Sequence, residues 1–265
     1  MGRRILLLVV VVTLALTTGA ALGAEGDKPL DVAAILGELA AARGGKARWE
    51  AVKTLRIEGA WTAFSETTPM TIRRKRPDLY RFDHQVLKTP AVVAWDGAQV
   101  WVQGEAYGAP AGQKLEDDWK RNVIDDIAFD PPLLAHAASG AKIELRGSED
   151  LEGRKVWVLA VTRKDMPDET WYVDAETFLE QKRVSKTLDM FSGPGLEIEM
   201  ETYYMDFREV AGLVLPFREE RHFGIRYLVY EARTIEVDPE LDAAVFRLPE
   251  PEKPEPDKKD GGGGT

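Results

Sequence analysis

The chain has 265 residues, no cysteine, and 45 acidic against 35 basic side chains, for a formal net charge of -10. The missing cysteine excludes disulfides, thiol chemistry and acylation at a cysteine after a leader. The acidic balance argues against nucleic acid as a partner and against non-specific adhesion to anionic lipid.

Arg3 and Arg4 precede an apolar run over residues 5–12 that continues, diluted by Thr13, Thr17 and Thr18, to Leu22, with small residues Gly19, Ala20, Ala21, Gly23 and Ala24 behind it. This is the pattern of a secretory signal peptide over residues 1–23, cleaved near residues 21–24, and it places the mature protein in the periplasm; an uncleaved membrane anchor is the alternative. A linker at 24–29 follows. The remaining length, about 240 residues, fits one large β domain over residues 30–248. The tail, 249–265, is rich in Pro, Glu, Lys and Gly and is expected to be disordered.

Asp31 is placed to cap a helix in which Val32, Ile35, Leu36 and Leu39 recur at helical spacing until Gly44 and Gly45, and Lys46 to Lys53 reads as a second short helical turn. The period then changes to two. Leu55, Ile57, Gly59 and Trp61 alternate with Arg56, Glu58 and Thr62, and alternation continues through Met70, Ile72 and Arg74 and through Tyr80, Phe82 and His84. Asp96-Gly97 between two apolar runs marks a two-residue hairpin. Between Lys114 and Ser139, Leu115, Trp119, Val123, Ile124 and Ile127 return to helical spacing ahead of Pro131-Pro132, which predicts a helical insertion with one apolar face. Strands resume over 141–146, 154–162, 170–174, 179–188, 196–207, 213–223 and 225–237; in the longest, Ile198 and Met200 alternate with Glu197, Glu199 and Glu201. About ten or eleven strands with helices at two places predict a single curved antiparallel sheet whose concave face the helices plug.

His84, His136 and His222 have no metal-ligand spacing, so neither a metal nor a cofactor is expected. No Gly-x-Ser-x-Gly occurs, and the clusters Glu116-Asp117-Asp118 and Asp125-Asp126 read as solvated helix faces rather than as an acid and base pair. The reading is a binding protein, not an enzyme. In the run Arg73-Arg74-Lys75-Arg76, strand parity puts Arg74 and Arg76 on the face of Met70 and Ile72. A charge there needs a carboxylate or carbonyl from a covering helix, or an anionic group on a ligand; the other reading is a strand end where the arginines reach solvent. Trp61, Trp95, Trp101, Trp157 and Trp171 all fall on predicted strands and would together give a deep apolar surface. The candidate cavity and lid residues are therefore Trp61, Ile72, Arg74, Arg76, Trp119, Val123, Ile198 and Met200.

The segment Lys75-Arg76-Pro77-Asp78-Leu79-Tyr80, followed by Asp96-Gly97 and Trp101, resembles the Lys-Arg-Pro strand, Asp-Gly hairpin and Trp of the LolA/LolB-like lipoprotein localisation factors. Trp171-Tyr172-Val173-Asp174 and the run from Tyr204 to Pro216 resemble the outer-membrane lipoprotein-sorting branch of that superfamily. The resemblance implies an incomplete antiparallel β-barrel closed by a helical lid over an apolar cavity, with Arg76 inheriting a lid contact that takes part in switching. It also implies acyl chains of lipoprotein or lipid as ligands, and an inner-membrane donor and an outer-membrane acceptor as partners of a monomer. A periplasmic sensor or regulatory domain on the same lidded sheet is the second reading. The longer C-terminal half and the acidic tail depart from the carrier pattern.

Overall fold

A computed structural model describes residues 30–115, 120–188 and 196–250; the expected leader and linker, Trp119 and most of the expected tail lie outside the described residues. The Asp31 carboxylate accepts the Ala34 N–H at 2.8 Å and starts helix α1 (Val32–Ala42). Gly44, at φ +103°, ends the turn where a Cβ would stand 2.2 Å from the Gly212 carbonyl oxygen, so only glycine permits this approach. Helix α2 (Lys46–Ala51) leads into six strands, β1 (Thr54–Ala63), β2 (Glu66–Lys75), β3 (Leu79–Val86), β4 (Thr89–Trp95), β5 (Val100–Gly104) and β6 (Ala109–Lys114). Helices α3 (Lys120–Ile127) and α4 (Pro132–Ala138) follow. Seven more strands complete the fold: β7 (Lys142–Leu151), β8 (Arg154–Thr162), β9 (Glu169–Asp174), β10 (Glu180–Leu188), β11 (Glu197–Val210), β12 (Leu213–Phe223) and β13 (Arg226–Val237).

All thirteen strands belong to one sheet, in the order β6-β5-β4-β3-β2-β1-β13-β12-β11-β10-β9-β8-β7. Two meanders are thus joined where β1 pairs with β13, and Gly59 marks that seam: a Cβ there would lie 1.9 Å from the Glu231 carbonyl oxygen, beside a register shift. Strands β6 and β7 stand at opposite edges, so the sheet is open. The chain between them, residues 115–141, must pass from edge to edge, and it carries α3 and α4 across one face. The sheet curves around this crossing. Helix α3, roughly 12 Å long, touches both β3 and β10, which are six strand intervals, or about 29 Å, apart along a flat sheet. The architecture is an incomplete antiparallel barrel with a helical lid.

The strand count exceeds the expected ten or eleven. Edge strand β6, Ala-Pro-Ala-Gly-Gln-Lys, has no apolar alternation to reveal it and tolerates Pro110 because it pairs on one side only. The hairpin signalled by Asp96-Gly97 forms, but four residues, 96–99, and not two, separate β4 from β5, with the Asp96 carboxylate accepting the N–H groups of Ala98 and Gln99. On the convex face, residues 239–246 strap the first meander: Thr54, Lys75, Arg81 and Trp101 donate side-chain hydrogen bonds to the carbonyls of Pro239, Leu241, Val245 and Phe246. Trp101 therefore packs outside, and does not contribute to the concave apolar surface as expected.

Two apolar clusters fill the concave side. Trp61, Met70, Ile72, Tyr80, Phe82, Trp95 and Val100 form the floor beneath Ile127, with Leu115 and Val123 packed against them. Trp49, Val52, Leu55, Phe129, Leu215, Phe217 and Ile235 form the second, where α2 and the α3–α4 connection meet β12 and β13. Each such buried side chain contributes roughly 1.5–3 kcal/mol. Among the described residues no helix is long and apolar enough to cross a membrane.

Candidate functional site

The lid covers two chemically different surfaces. Over β1 to β5 the floor is aromatic and aliphatic, and Val123 and Ile127 of α3 rest on it. Over β9 to β12 the lid-facing positions are Glu169, Arg183, Glu219 and Arg221, and here α3 presents Asp125 and Asp126. Arg183 and Arg163 both donate to Asp125, while Arg221 donates to Asp126. Burial lowers the Arg183 pKa, but Asp125, Tyr204 and Glu169 outweigh it and raise the group above its ordinary value. Asn122 adds hydrogen bonds to Leu188 and Thr187 at the end of β10. The Asp125-Asp126 pair expected on a solvated face is turned inward instead, because the opposing strands carry arginines there.

A second set of contacts holds the α3–α4 connection. Arg74 donates from Nη1 to the Ala128 carbonyl at 2.9 Å and lies against the Tyr80 ring. Arg76 donates from Nε to the Val52 carbonyl at 2.9 Å and from Nη2 to the Trp49 carbonyl at 2.8 Å, both on the α2 segment. It also pairs with the Asp130 carboxylate and sits 4.2 Å from the Phe129 ring centroid. One guanidinium thus ties β2, α2 and the lid connection together. Its neighbour Arg73 points the other way and bonds Asp83.

His136 of α4 brings together residues that no local spacing connects. Its Nε2 lies 3.6 Å from Asp125 Oδ1 and 3.4 Å from Glu169 Oε2, and a ligand atom from each of the three falls within 4.8 Å of the others. The donor set suits arginine rather than a metal dication. Arg163 bonds both carboxylates, Arg183 bonds Asp125, and the Trp171 indole N–H donates to Glu169 at 2.7 Å. Two carboxylates facing two guanidiniums leave no net negative charge to hold an ion. Burial alone would raise the Glu169 pKa; His136, 3.4 Å away, and the charges of Arg183 and Arg163 overcome it and hold the carboxyl at about 2.

Trp61, Ile72, Arg74 and Val123 meet beneath or within the lid, and Arg76 lies at its rim. Ile198 and Met200 are half-buried, and Met200 stands beside Asn122, Asp125 and Arg221 on the charged half, not on an apolar floor. Trp119 is outside the described residues. Sequence reasoning missed Asp125, Asp126, His136, Glu169, Arg183 and Arg221. The signal available was in β12, where Arg218-Glu219-Glu220-Arg221 puts charge on both faces, so that one charged face must lie inside. Between lid and sheet the remaining cavity is about 110 Å³. That is small against the 300–1,000 Å³ of ordinary ligand pockets.

No protein-family model matches the chain, and no curated protein matches its sequence. Solved structures do resemble it. A LolA superfamily protein from Nitrosomonas europaea is 13% identical, with a TM-score of 0.55 over 82% of this chain and 98% of its own. The fold is of the LolA/LolB type. An outer membrane lipoprotein-sorting protein domain from Vibrio parahaemolyticus gives 12% identity and a TM-score of 0.54 over 80% and 94% of the two chains. A DUF1329 family protein from Desulfovibrio piger gives 13% and 0.54 over 80% and 96%. At these identities the likeness is one of fold, specific to no branch.

Proposed function

We propose that this chain is an exported, periplasmic carrier of acyl-chain amphiphiles, lipoproteins or lipids of the cell envelope, and that α3 and α4 form its lid. The observation that carries this reading is the way the lid is held. Its apolar residues rest on an aromatic floor, yet its positions are set by separate ion pairs, Arg76 with Asp130, Arg183 with Asp125 and Arg221 with Asp126. Ion pairs have discrete made and broken states, and breaking them uncovers a contiguous apolar surface that needs a new cover. An acyl chain supplies one at about 0.8 kcal/mol per buried methylene. The small cavity then belongs to the closed state, and Arg76 acts as a lid contact. The likeness in fold to a lipoprotein-sorting domain supports the same reading. Native mass spectrometry of protein purified from membrane-containing extract tests it: a mass increment of an acylated molecule is expected. Recovery of the bare chain with a tightly bound protein partner would favour a sensor domain instead.

A further inference from the structure

One corner of the cavity under the lid is left with unmatched polar groups. Arg43, at the C-terminal cap of α1, is 4% exposed, and its Nε and Nη1 have no hydrogen-bond partner. Its ion-pair partner, Glu180, approaches no closer than 3.8 Å, is 2% exposed, and has neither carboxylate oxygen in a hydrogen bond. Arg74 completes the corner. Among the described residues it bonds the Ala128 carbonyl but no carboxylate, and its Nε is buried without a partner. Burial lowers the Arg43 pKa, and the charge of Arg74 acts in the same direction against Glu180 and Tyr204.

Elsewhere beneath the lid each guanidinium has its carboxylate: Arg76 has Asp130, Arg183 has Asp125, Arg163 has Glu169, and Arg221 has both Asp126 and Glu219. Here two guanidiniums face one acid, so the excess positive charge is local. A buried ion without hydrogen-bonding partners is strongly unfavourable, and arginine meets carboxylate and phosphate oxygens with paired, directed donors. The cavity wall beside this corner is apolar, formed by Leu55, Ile72 and Leu215 among others. Its volume, about 110 Å³, admits a compact polar group and the start of a chain.

We propose that Arg43 and Arg74 form a subsite for an anionic head group, a carboxylate or a phosphate, of an amphiphile whose chain lies along the apolar wall. The proposal rests on the carrier reading and adds the head-group class to it. It also gives Arg74 a binding role that is separate from the lid contact of Arg76.

The test compares palmitate, hexadecyl phosphate and hexadecanol, which share a chain, with acetate and inorganic phosphate, which lack one, by titration calorimetry on the full chain. The two anionic amphiphiles are expected to bind at least about tenfold more tightly than the alcohol, as charge-assisted bonds require. Arg74→Gln should remove that advantage, Arg74→Lys should keep part of it, and Arg73→Gln, on the opposite face, should leave it intact, with circular dichroism checking each fold. If Arg74→Gln does not fold, the wild-type head-group comparison and Arg74→Lys decide. Equal binding of acids and alcohol would overturn the head-group subsite and leave the carrier reading standing. Acetate or phosphate binding as tightly as the amphiphiles would overturn it in favour of a free-anion site. Binding of none of the five would overturn both readings.

Discussion

Arg221 on β12 donates to both carboxylate oxygens of Asp126 on α3, from Nη1 to Oδ2 at 3.0 Å and from Nη2 to Oδ1 at 2.5 Å. The pair fixes the helix over the charged half of the sheet, and Glu219 holds the Arg221 Nε–H at 2.6 Å. In Asp126→Asn the guanidinium keeps Glu219 and one neutral bond to the amide oxygen but loses the charged, two-bond pairing with the lid, at a cost of about 2 kcal/mol. Hydrogen exchange should quicken across α3 while the β1 and β13 amides stay protected. Unchanged exchange in α3 would mean that packing alone holds the lid.

Arg76→Leu removes donors from the Trp49 and Val52 carbonyls and from Asp130 at once. Each lost charge-assisted bond is worth roughly 1.5–3 kcal/mol, enough to move a two-state lid by about tenfold or more. Arg73→Leu loses only its pairing with Asp83 on the other face. Binding of a fluorescent fatty acid should change in the first variant and not in the second. Equal behaviour of the two would reduce Arg76 to a structural charge.

Acid should weaken the fold in two separable windows. Burial lowers the His84 pKa from 6.5 to about 4, against a backbone hydrogen bond and Asp83, and the ring stacks on Phe82 at 4.2 Å. The unfolded chain therefore takes up this proton first: the contribution is complete above pH 6.5 and is lost as pH falls towards 4, on the order of 3 kcal/mol. Glu169 is held at about 2 instead of 4.5, so its contribution is present above pH 4.5 and is lost as pH falls through 2. Denaturant titrations of His84→Phe should lack the upper slope and those of Glu169→Gln the lower. A single slope that both variants share would contradict the assignment.

The fold was legible because most of its strands alternate. Ile57, Met70, Ile72, Tyr80 and Phe82 announce one buried face, and Asp31 and Gly44 bracket a helix in one dimension. The charged half was not legible, because reading Asp125 and Asp126 as solvated assumes an apolar surface opposite, and that surface is set by strand residues 58 and 95 positions further on. His136 and Glu169 meet only through the crossing of the lid, which no spacing encodes. The parity of Arg73 to Arg76 was readable, since a strand has a strict period of two. The identity of the groups facing them was not.

The β3–β4 hairpin turns through Leu87 at φ 48° and Lys88 at φ 66°, both left-handed, and Leu87 is 69% exposed. Such turns favour Asn-Gly, and an L side chain there costs roughly 1–2 kcal/mol. Glycine's added freedom in the unfolded chain and the strain that Asn retains offset most of this, so the double substitution Leu87→Asn, Lys88→Gly should gain about 1 kcal/mol and raise the melting temperature by about 2–4 °C. A drop would show that Leu87 makes a stabilising contact in solution.

The carrier reading stands most directly on one series: the affinity of saturated fatty acids of increasing chain length for the wild-type protein. Burial of the chain under the lid predicts that binding strengthens with each methylene, by up to about 0.8 kcal/mol, until the apolar floor is filled. Affinity that does not change with chain length would contradict it.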